Sequence, residues 1–217
     1  MAAALVSLLF ASSGRADNGT ASYFDFNYTA AGFGPPTGTI NYSSSFWSPS
    51  SAGTATTTAP ISTSQLTFGN TDSDPDGATF TIDLNDHIGF TGILINSTSA
   101  NVTIIGGADT GSSFFGDGNM FWSVASGSIL NMNGKHGVAG GTNNDGNPLT
   151  LQGGGIINFG GVIGMNGTAN ITQNMAGGTV KLQQTSAGGA PPGGGYTLTA
   201  GTLNFKGSEN CLSRNLS

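Results

Sequence analysis

The sequence predicts an all-β protein built as a parallel β-helix, and three observations carry that expectation. Short runs alternate apolar with polar residues, Gly, Asn and Asp separate the runs, and the runs recur at about 20 residues. A β-sandwich is the alternative architecture. It calls for hairpin turns every ~8–12 residues and for less glycine clustered beside the strands.

Met1–Ala11 is an apolar run followed by Ser12, Ser13, Gly14, Arg15 and Ala16, whose small residues suit signal-peptidase cleavage before Asp17. Residues 1–16 are therefore expected to be a signal peptide, although the usual positive start is missing. Residues 17–59 differ in character from the rest of the chain. They contain Gly34-Pro35-Pro36, Phe46-Trp47-Ser48-Pro49 and a Thr-rich stretch, and are expected to form an N-terminal cap. An open solenoid end exposes apolar core and unpaired strand edges, which Phe46 and Trp47 are suited to seal.

Residues 60–205 form the repeat domain. Apolar residues two apart, which share one face of a strand, occur as Leu66/Phe68, Phe80/Ile82/Leu84, Ile93/Ile95, Val102/Ile104 and Leu130/Met132. The pattern continues through Leu149/Leu151, Ile157/Phe159, Val180/Leu182, Tyr196/Leu198 and Leu203/Phe205. Leu130 to Leu151 is 21 residues, Leu151 to Ile171 is 20 and Leu182 to Leu203 is 21. That spacing is the expected coil length, with Gly at the corners where the backbone turns left-handed. Residues 206–217 abandon the repeat and introduce Glu209, Cys211 and Arg214. They are expected to be an irregular tail, the truncation point of a longer chain.

Composition narrows the function classes. Charged residues are 7% of the 217, against ~25% in an ordinary domain, and glycine accounts for 37. Five Lys and Arg cannot neutralise a row of phosphates, so nucleic acid is not an expected partner. The net charge of −6 favours cationic partners or Ca²⁺ over anionic lipid. One cysteine, Cys211, excludes an intrachain disulfide and a cysteine zinc cluster. Beyond the N-terminal run no segment reaches the ~18 apolar residues of a membrane span.

The sharpest local motif is Asp72-Ser73-Asp74-Pro75-Asp76-Gly77, with Asp83 at the twelfth position. Alternate carboxylates converge on one hard cation, and glycine at the sixth position permits the sharp turn of such a loop. Strand-like flanks exclude a full EF-hand. The expectation is a Ca²⁺ site formed by Asp72, Asp74, Asp76 and Asp83, against an acidic solvated turn that binds nothing.

Enzymatic signals are thin. Asn70-Thr71-Asp72 and Lys135-His136-Gly137 superficially match polygalacturonase motifs, but no paired aspartates lie between them. Lys135-His136 reads as a polar turn, and Asp86-His87 as a surface hydrogen bond without a nucleophile. Gly106-Gly107, Gly140-Gly141 and Gly160-Gly161 read as corners, since no Lys-Ser or Lys-Thr follows them. The eight Asn-x-Ser/Thr sequons are a product of composition. Phe114-Phe115 and Met120-Phe121-Trp122 are expected in the core or in the packing between coils, with an exposed carbohydrate-stacking patch as the alternative.

The runs Gly153-Gly154-Gly155-Ile156-Ile157-Asn158-Phe159, Gly177-Gly178-Thr179-Val180-Lys181-Leu182 and Gly194 to Phe205 resemble the autotransporter-associated β-strand repeats of bacterial passenger domains. The resemblance covers residues 60–205. It implies a right-handed parallel β-helix, secreted or on the bacterial cell surface or outer membrane, within a longer chain. No membrane barrel or sorting segment follows Phe205, so the resemblance leaves the anchor open. The functional expectation is a non-enzymatic structural or adhesive segment that meets glycans or surface proteins. The alternative is a Ca²⁺-dependent polysaccharide hydrolase or lyase on the same scaffold.

Overall fold

The computed structural model describes residues 20–25, 38–41, 45–59, 64–69, 79–84, 88–89, 91–106, 113–116, 120–133, 135–140, 148–160, 162–164, 171–183 and 196–206. Among them are seventeen β-strands and no helix. In chain order the first nine are β1 (Thr20–Phe24), β2 (Gly38–Asn41), β3 (Trp47–Ser48), β4 (Ser64–Phe68), β5 (Thr79–Leu84), β6 (Ile88–Gly89), β7 (Gly92–Ile95), β8 (Asn101–Gly106) and β9 (Ser113–Gly116). The remainder are β10 (Met120–Val124), β11 (Ile129–Asn133), β12 (Lys135–Gly140), β13 (Leu149–Gln152), β14 (Ile156–Phe159), β15 (Val162–Gly164), β16 (Ile171–Gln183) and β17 (Tyr196–Lys206). The chain is all-β, as its alternating runs predict.

The strands stack in three ladders that the chain visits in turn. One ladder takes β1, β4, β7, β10, β13 and the first halves of β16 and β17. A second takes β2, β5, β8, β11, β14 and the second halves of β16 and β17. Since β16 and β17 run through both, the two ladders are arms of one 13-stranded sheet. β6, β9, β12 and β15 form a separate four-stranded sheet. All strand pairs are parallel except β3 on β1.

Register follows from burial. In the first arm Leu66, Ile93, Trp122 and Leu151 stand side by side in successive strands. In the second, Phe80, Val102, Leu130, Ile157 and Val180 do so, with Ile82, Ile104, Met132 and Phe159 two positions on. All are buried in one continuous core. A one-residue slip would turn each of them to the opposite face, so every turn of chain is locked to its neighbour. Full burial of each such side chain contributes about 1.5–3 kcal/mol.

The coil length differs from the expected one. Leu130 and Leu151 lie on different arms: Leu130 pairs with Ile157, and Leu151 with Gln173. The 21-residue step from Leu130 to Leu151 thus joins the second arm of one turn to the first arm of the next, while the steps from Leu151 to Ile171 and from Leu182 to Leu203 stay on one arm and fall two residues short of the register partner. Register neighbours are separated by 22 residues at Leu151 and Gln173, by 27 at Leu66 and Ile93, and by 29 at Trp122 and Leu151. Turns of unequal length blur a fixed period.

The corner between the two arms explains part of the glycine content. Gly69, Gly127, Gly153, Gly177 and Gly201 have positive φ, and each follows a first-arm strand or lies at the bend of β16 or β17. At Gly153, with φ of 95°, a Cβ would also run into the Val124 carbonyl of the preceding turn. Only glycine suits both the backbone and the space. The glycine pairs expected at corners are placed differently. Gly106 ends β8, Gly140 ends β12 and Gly160 follows β14, while Gly107, Gly141 and Gly161 lie outside the described residues.

The first arm is buried on both faces over part of its length. Leu94 and Phe121 point away from Ile93 and Trp122 yet are each 7% exposed. The Phe121 ring occupies the place of a side chain at Gly92, where a Cβ would meet Cε1 at 2.8 Å. Parallel strands covered on both faces read as continuous apolar runs, and Gly-Ile-Leu-Ile and Met-Phe-Trp are such runs. Met120, Phe121 and Trp122 are therefore packing residues, and the exposed-patch alternative fails for them.

Near the start of the stack, β3 runs antiparallel along β1, and Trp47 is bridged to Thr58. The Phe24 ring centroid lies 5.6 Å from that of Trp47, 5.9 Å from Phe68 and 5.1 Å from Phe80. Phe46 packs on the same group at 6.5 Å. The contacts of Phe24 with Trp47 and Phe80 are edge-on and that with Phe68 is stacked, arrangements that suit the ring quadrupoles and add to the area buried.

Candidate functional site

The candidate site is the outward face of the second arm. Between each pair of core residues stands one side chain on the opposite face, and register aligns Thr81, Thr103, Asn131, Asn158, Lys181 and Asn204. A flanking row holds Thr79, Asn101, Ile129, Ile156, Thr179 and Thr202. Parallel strands ~4.8 Å apart, with same-face residues about 6.7 Å apart along each, set a regular grid. All twelve of these side chains are half-buried or exposed. The grid presents hydroxyls and amides, with one charge at Lys181 and two apolar members, Ile129 and Ile156, in the flanking row.

Hydrogen bonds fix the middle of this face. Asn158 Nδ2 donates to Asn131 Oδ1 at 2.7 Å, and Asn131 Nδ2 donates to Asn101 Oδ1 at 2.7 Å and to Thr103 Oγ1 at 3.2 Å. Donation runs one way along the stack, from later turns to earlier ones. The direction rests on the amide orientation that satisfies the network. Asn158 Oδ1 is buried and accepts no hydrogen bond among the described residues. Its register neighbour in the next turn is Lys181.

The corners behind the face are held by hydroxyls. Ser128 Oγ donates to the Ser97 carbonyl and accepts from the Ala100 N–H at 2.9 Å. Thr91 Oγ1 donates to the Ser64 carbonyl at 3.3 Å. These residues are buried, so leaving any of these groups unpaired would cost about 1–3 kcal/mol.

A second polar constellation lies inside the core. Gln173 takes the first-arm row held in earlier turns by Leu66, Ile93, Trp122 and Leu151. Fully buried, it accepts from Tyr196 Oη at 2.6 Å and donates through Nε2 to the Thr202 carbonyl at 3.0 Å. Burial raises the Tyr196 phenol above its ordinary range, so it stays a neutral donor. The pair ties β16 to β17 and shows no nucleophile or acid beside it.

The residues expected to hold Ca²⁺ are mostly beyond view. Asp72, Asp74 and Asp76 lie outside the described residues, while Asp83 lies in β5, its backbone beside Asn41 and Ile105. No cluster of three His, Cys, Asp or Glu occurs among the described residues. Asp25, fully buried, is the single described carboxylate outside that segment. Asp86 and His87 lie outside the described residues. Lys135 and His136 were expected in a turn; they begin β12 and pair with Val162 and Ile163. Phe114 and Phe115 lie in β9 beside Val138 and Ala139.

Sequence reasoning missed the Asn ladder, although a signal for it exists. Leu130-Asn131-Met132, Ile157-Asn158-Phe159 and Leu203-Asn204-Phe205 share one pattern, Asn between two core residues. No family model matches the chain, and no curated protein or solved structure is similar to it. No helix among the described residues is long and apolar enough to cross a membrane.

Proposed function

We propose that this chain is a non-enzymatic, exported segment with a structural or adhesive role. On this reading its parallel ladders wind as a right-handed β-helix of the autotransporter-associated repeat type, secreted or held at a bacterial surface. Residues 1–16 are its signal peptide, 17–59 its cap, 60–205 its repeats and 206–217 an irregular tail. The aromatic group around Phe24, Trp47 and Phe68 supports the cap assignment.

The observation that carries the reading is the polar grid of Thr81, Thr103, Asn131 and Asn158. A flat, nearly uncharged array of donors and acceptors, braced from behind, suits a hydroxyl-rich ligand: a glycan chain or a glycosylated surface protein. Affinity then comes from many weak contacts repeated along the stack.

The test is binding of the purified chain to a broad panel of immobilised glycans. Thr79→Val and Thr81→Val together remove two hydroxyls of this face at nearly constant volume, and neither hydroxyl takes part in the Asn ladder. Loss of binding with an unchanged urea midpoint supports the reading. Binding that ignores both substitutions, or no binding by the unaltered chain, removes the face from it. Release of reducing sugar from any of the polysaccharides, abolished by Asp74→Ala, would establish the enzymatic alternative instead. Calorimetry with Ca²⁺ on the same chain and on Asp74→Ala decides the acidic turn, where absence of binding heat rules the metal out.

A further inference from the structure

The two ends of the main sheet differ. At the start of the first arm the outer edge of β1 is occupied by antiparallel β3, while β2, at the start of the second arm, meets only β5 among the described residues. At the other end β17 pairs with β16 on one side and with no strand on the other, among the described residues. Among the described residues that edge thus meets no other strand along the eleven residues of β17. One inner position is exposed there as well. Leu198 continues the row of Trp122, Leu151 and Gln173, yet it is 43% exposed. A long edge with exposed apolar core at its rim is a template for another strand.

The sequence of β17 specifies which strand. Read from its centre outwards, Tyr196-Thr197-Leu198-Thr199-Ala200 and Gly201-Thr202-Leu203-Asn204-Phe205 are near mirror images. We propose that two copies of this chain associate tail to tail through β17, in antiparallel register about a two-fold axis. Leu198 then faces Leu203 of the other copy, Tyr196 faces Phe205, Thr199 faces Thr202 and Thr197 faces Asn204. Inner positions meet inner positions and outer meet outer.

The bend of β17 makes this geometry self-consistent. Its two halves lie on the two arms of the sheet and meet at Gly201, whose φ is 99°. A two-fold axis along the bisector of the bend exchanges the arms and reverses their direction. It also leaves the concave side facing the same way, so the two cores join. An isologous contact of this kind closes on itself and stops at two copies. Head-to-tail stacking would have to place the first half of β17 on β1, where β3 already sits.

Sedimentation equilibrium of the full chain from 1 to 200 μM tests the proposal. The expected result is a monomer–dimer equilibrium with no larger species. Leu198→Lys puts an ammonium group into the joined apolar cores and is expected to weaken the dimer at least about 100-fold. A disulfide trap tests the register, in a Cys211→Ser background. Chains carrying Thr199→Cys, mixed with chains carrying Thr202→Cys, are expected to form the mixed disulfide in excess over either homodimer. A monomer at 200 μM, open-ended oligomers, or Thr199→Cys joining mainly to itself would each overturn the proposal. The mass and the trap are read on folded chains that retain Leu198, so instability of the Lys variant leaves both results standing.

Discussion

The one-way donation along the Asn ladder predicts that two chemically identical substitutions differ in cost. Asn131→Asp keeps the oxygen that accepts from Asn158 Nδ2 but loses the amide that donates to Asn101 Oδ1 and Thr103 Oγ1. It also sets a carboxylate oxygen against Asn101 Oδ1, acceptor against acceptor. Two lost hydrogen bonds at about 0.5–1.5 kcal/mol each, with half-buried acceptors left facing one another, give about 2–4 kcal/mol. Asn101→Asp retains its role as acceptor, and an ionised acceptor makes a stronger hydrogen bond. Its expected cost is under about 1 kcal/mol. Both variants add one negative charge to a chain already at −6, so general charge repulsion cancels in the comparison. Urea denaturation reads the difference. With a slope of about 2 kcal/mol per molar, the Asn131→Asp midpoint falls about 1 M below that of Asn101→Asp. Equal midpoints would refute the ladder as a source of stability, and the reverse order would refute its direction.

Other outcomes follow from the core and the corners. Trp122→Ala removes a fully buried ring stacked 5.6 Å from Phe159, and should cost about 3–5 kcal/mol in urea denaturation; a loss under about 1 kcal/mol contradicts the packing. Gly155→Ala places a Cβ 2.5 Å from Val124 Cγ1 and 2.7 Å from the Ser128 carbonyl, whereas at Gly177 nothing lies within 4 Å and only the backbone, at φ 78°, resists. Gly177→Ala should therefore cost about 1–2 kcal/mol and Gly155→Ala clearly more, and the opposite ranking of thermal midpoints would count against the placement of the corner. The Tyr196 phenol has a folded pKa above the ~10 of an unfolded tyrosine, so the unfolded chain releases that proton first. Its contribution is complete below pH ~10 and is lost as pH rises towards the folded value. Urea midpoints from pH 8 to 11.5 should fall more steeply for the unaltered chain than for Tyr196→Phe, and parallel slopes would remove the effect.

The local level of this fold was legible because alternation is a short-range signal. Leu66/Phe68, Ile93/Ile95 and Leu130/Met132 each needed only their own strand to mark the buried face, and all six are buried. Leu198 breaks the rule because, among the described residues, no strand pairs with β17 beyond it. Coil length was not legible, since each turn carries two apolar runs separated by a connection of variable length. Asn96–Ala100, Ala125–Ser128 and Gly153–Gly155 connect the same two arms with progressively fewer residues. The small second sheet escaped for another reason. Lys135–Gly140 has glycine and the polar pair Lys135-His136 where alternation would be expected, and its strand character comes from parallel pairing with β9 and β15.

The same contrast accounts for the form of the polar face. Inner positions are restricted by volume and by water exclusion, so Phe80, Val102, Leu130, Ile157 and Val180 replace one another along a row. Outer positions bear no such restriction, yet Asn recurs at 131, 158 and 204, each time between two inner residues. In a parallel stack a side-chain amide both donates and accepts along the stacking direction, so identical amides in successive turns satisfy one another. Thr can take part at either end of such a series, as Thr103 does, but it cannot bridge two neighbours in the same geometry. The series is interrupted at Lys181, an acceptor-free side chain beside the buried Asn158 Oδ1. The braced part of the face therefore lies between β8 and β14, two strands from either end of the second arm. That is where turns on both sides restrain local opening.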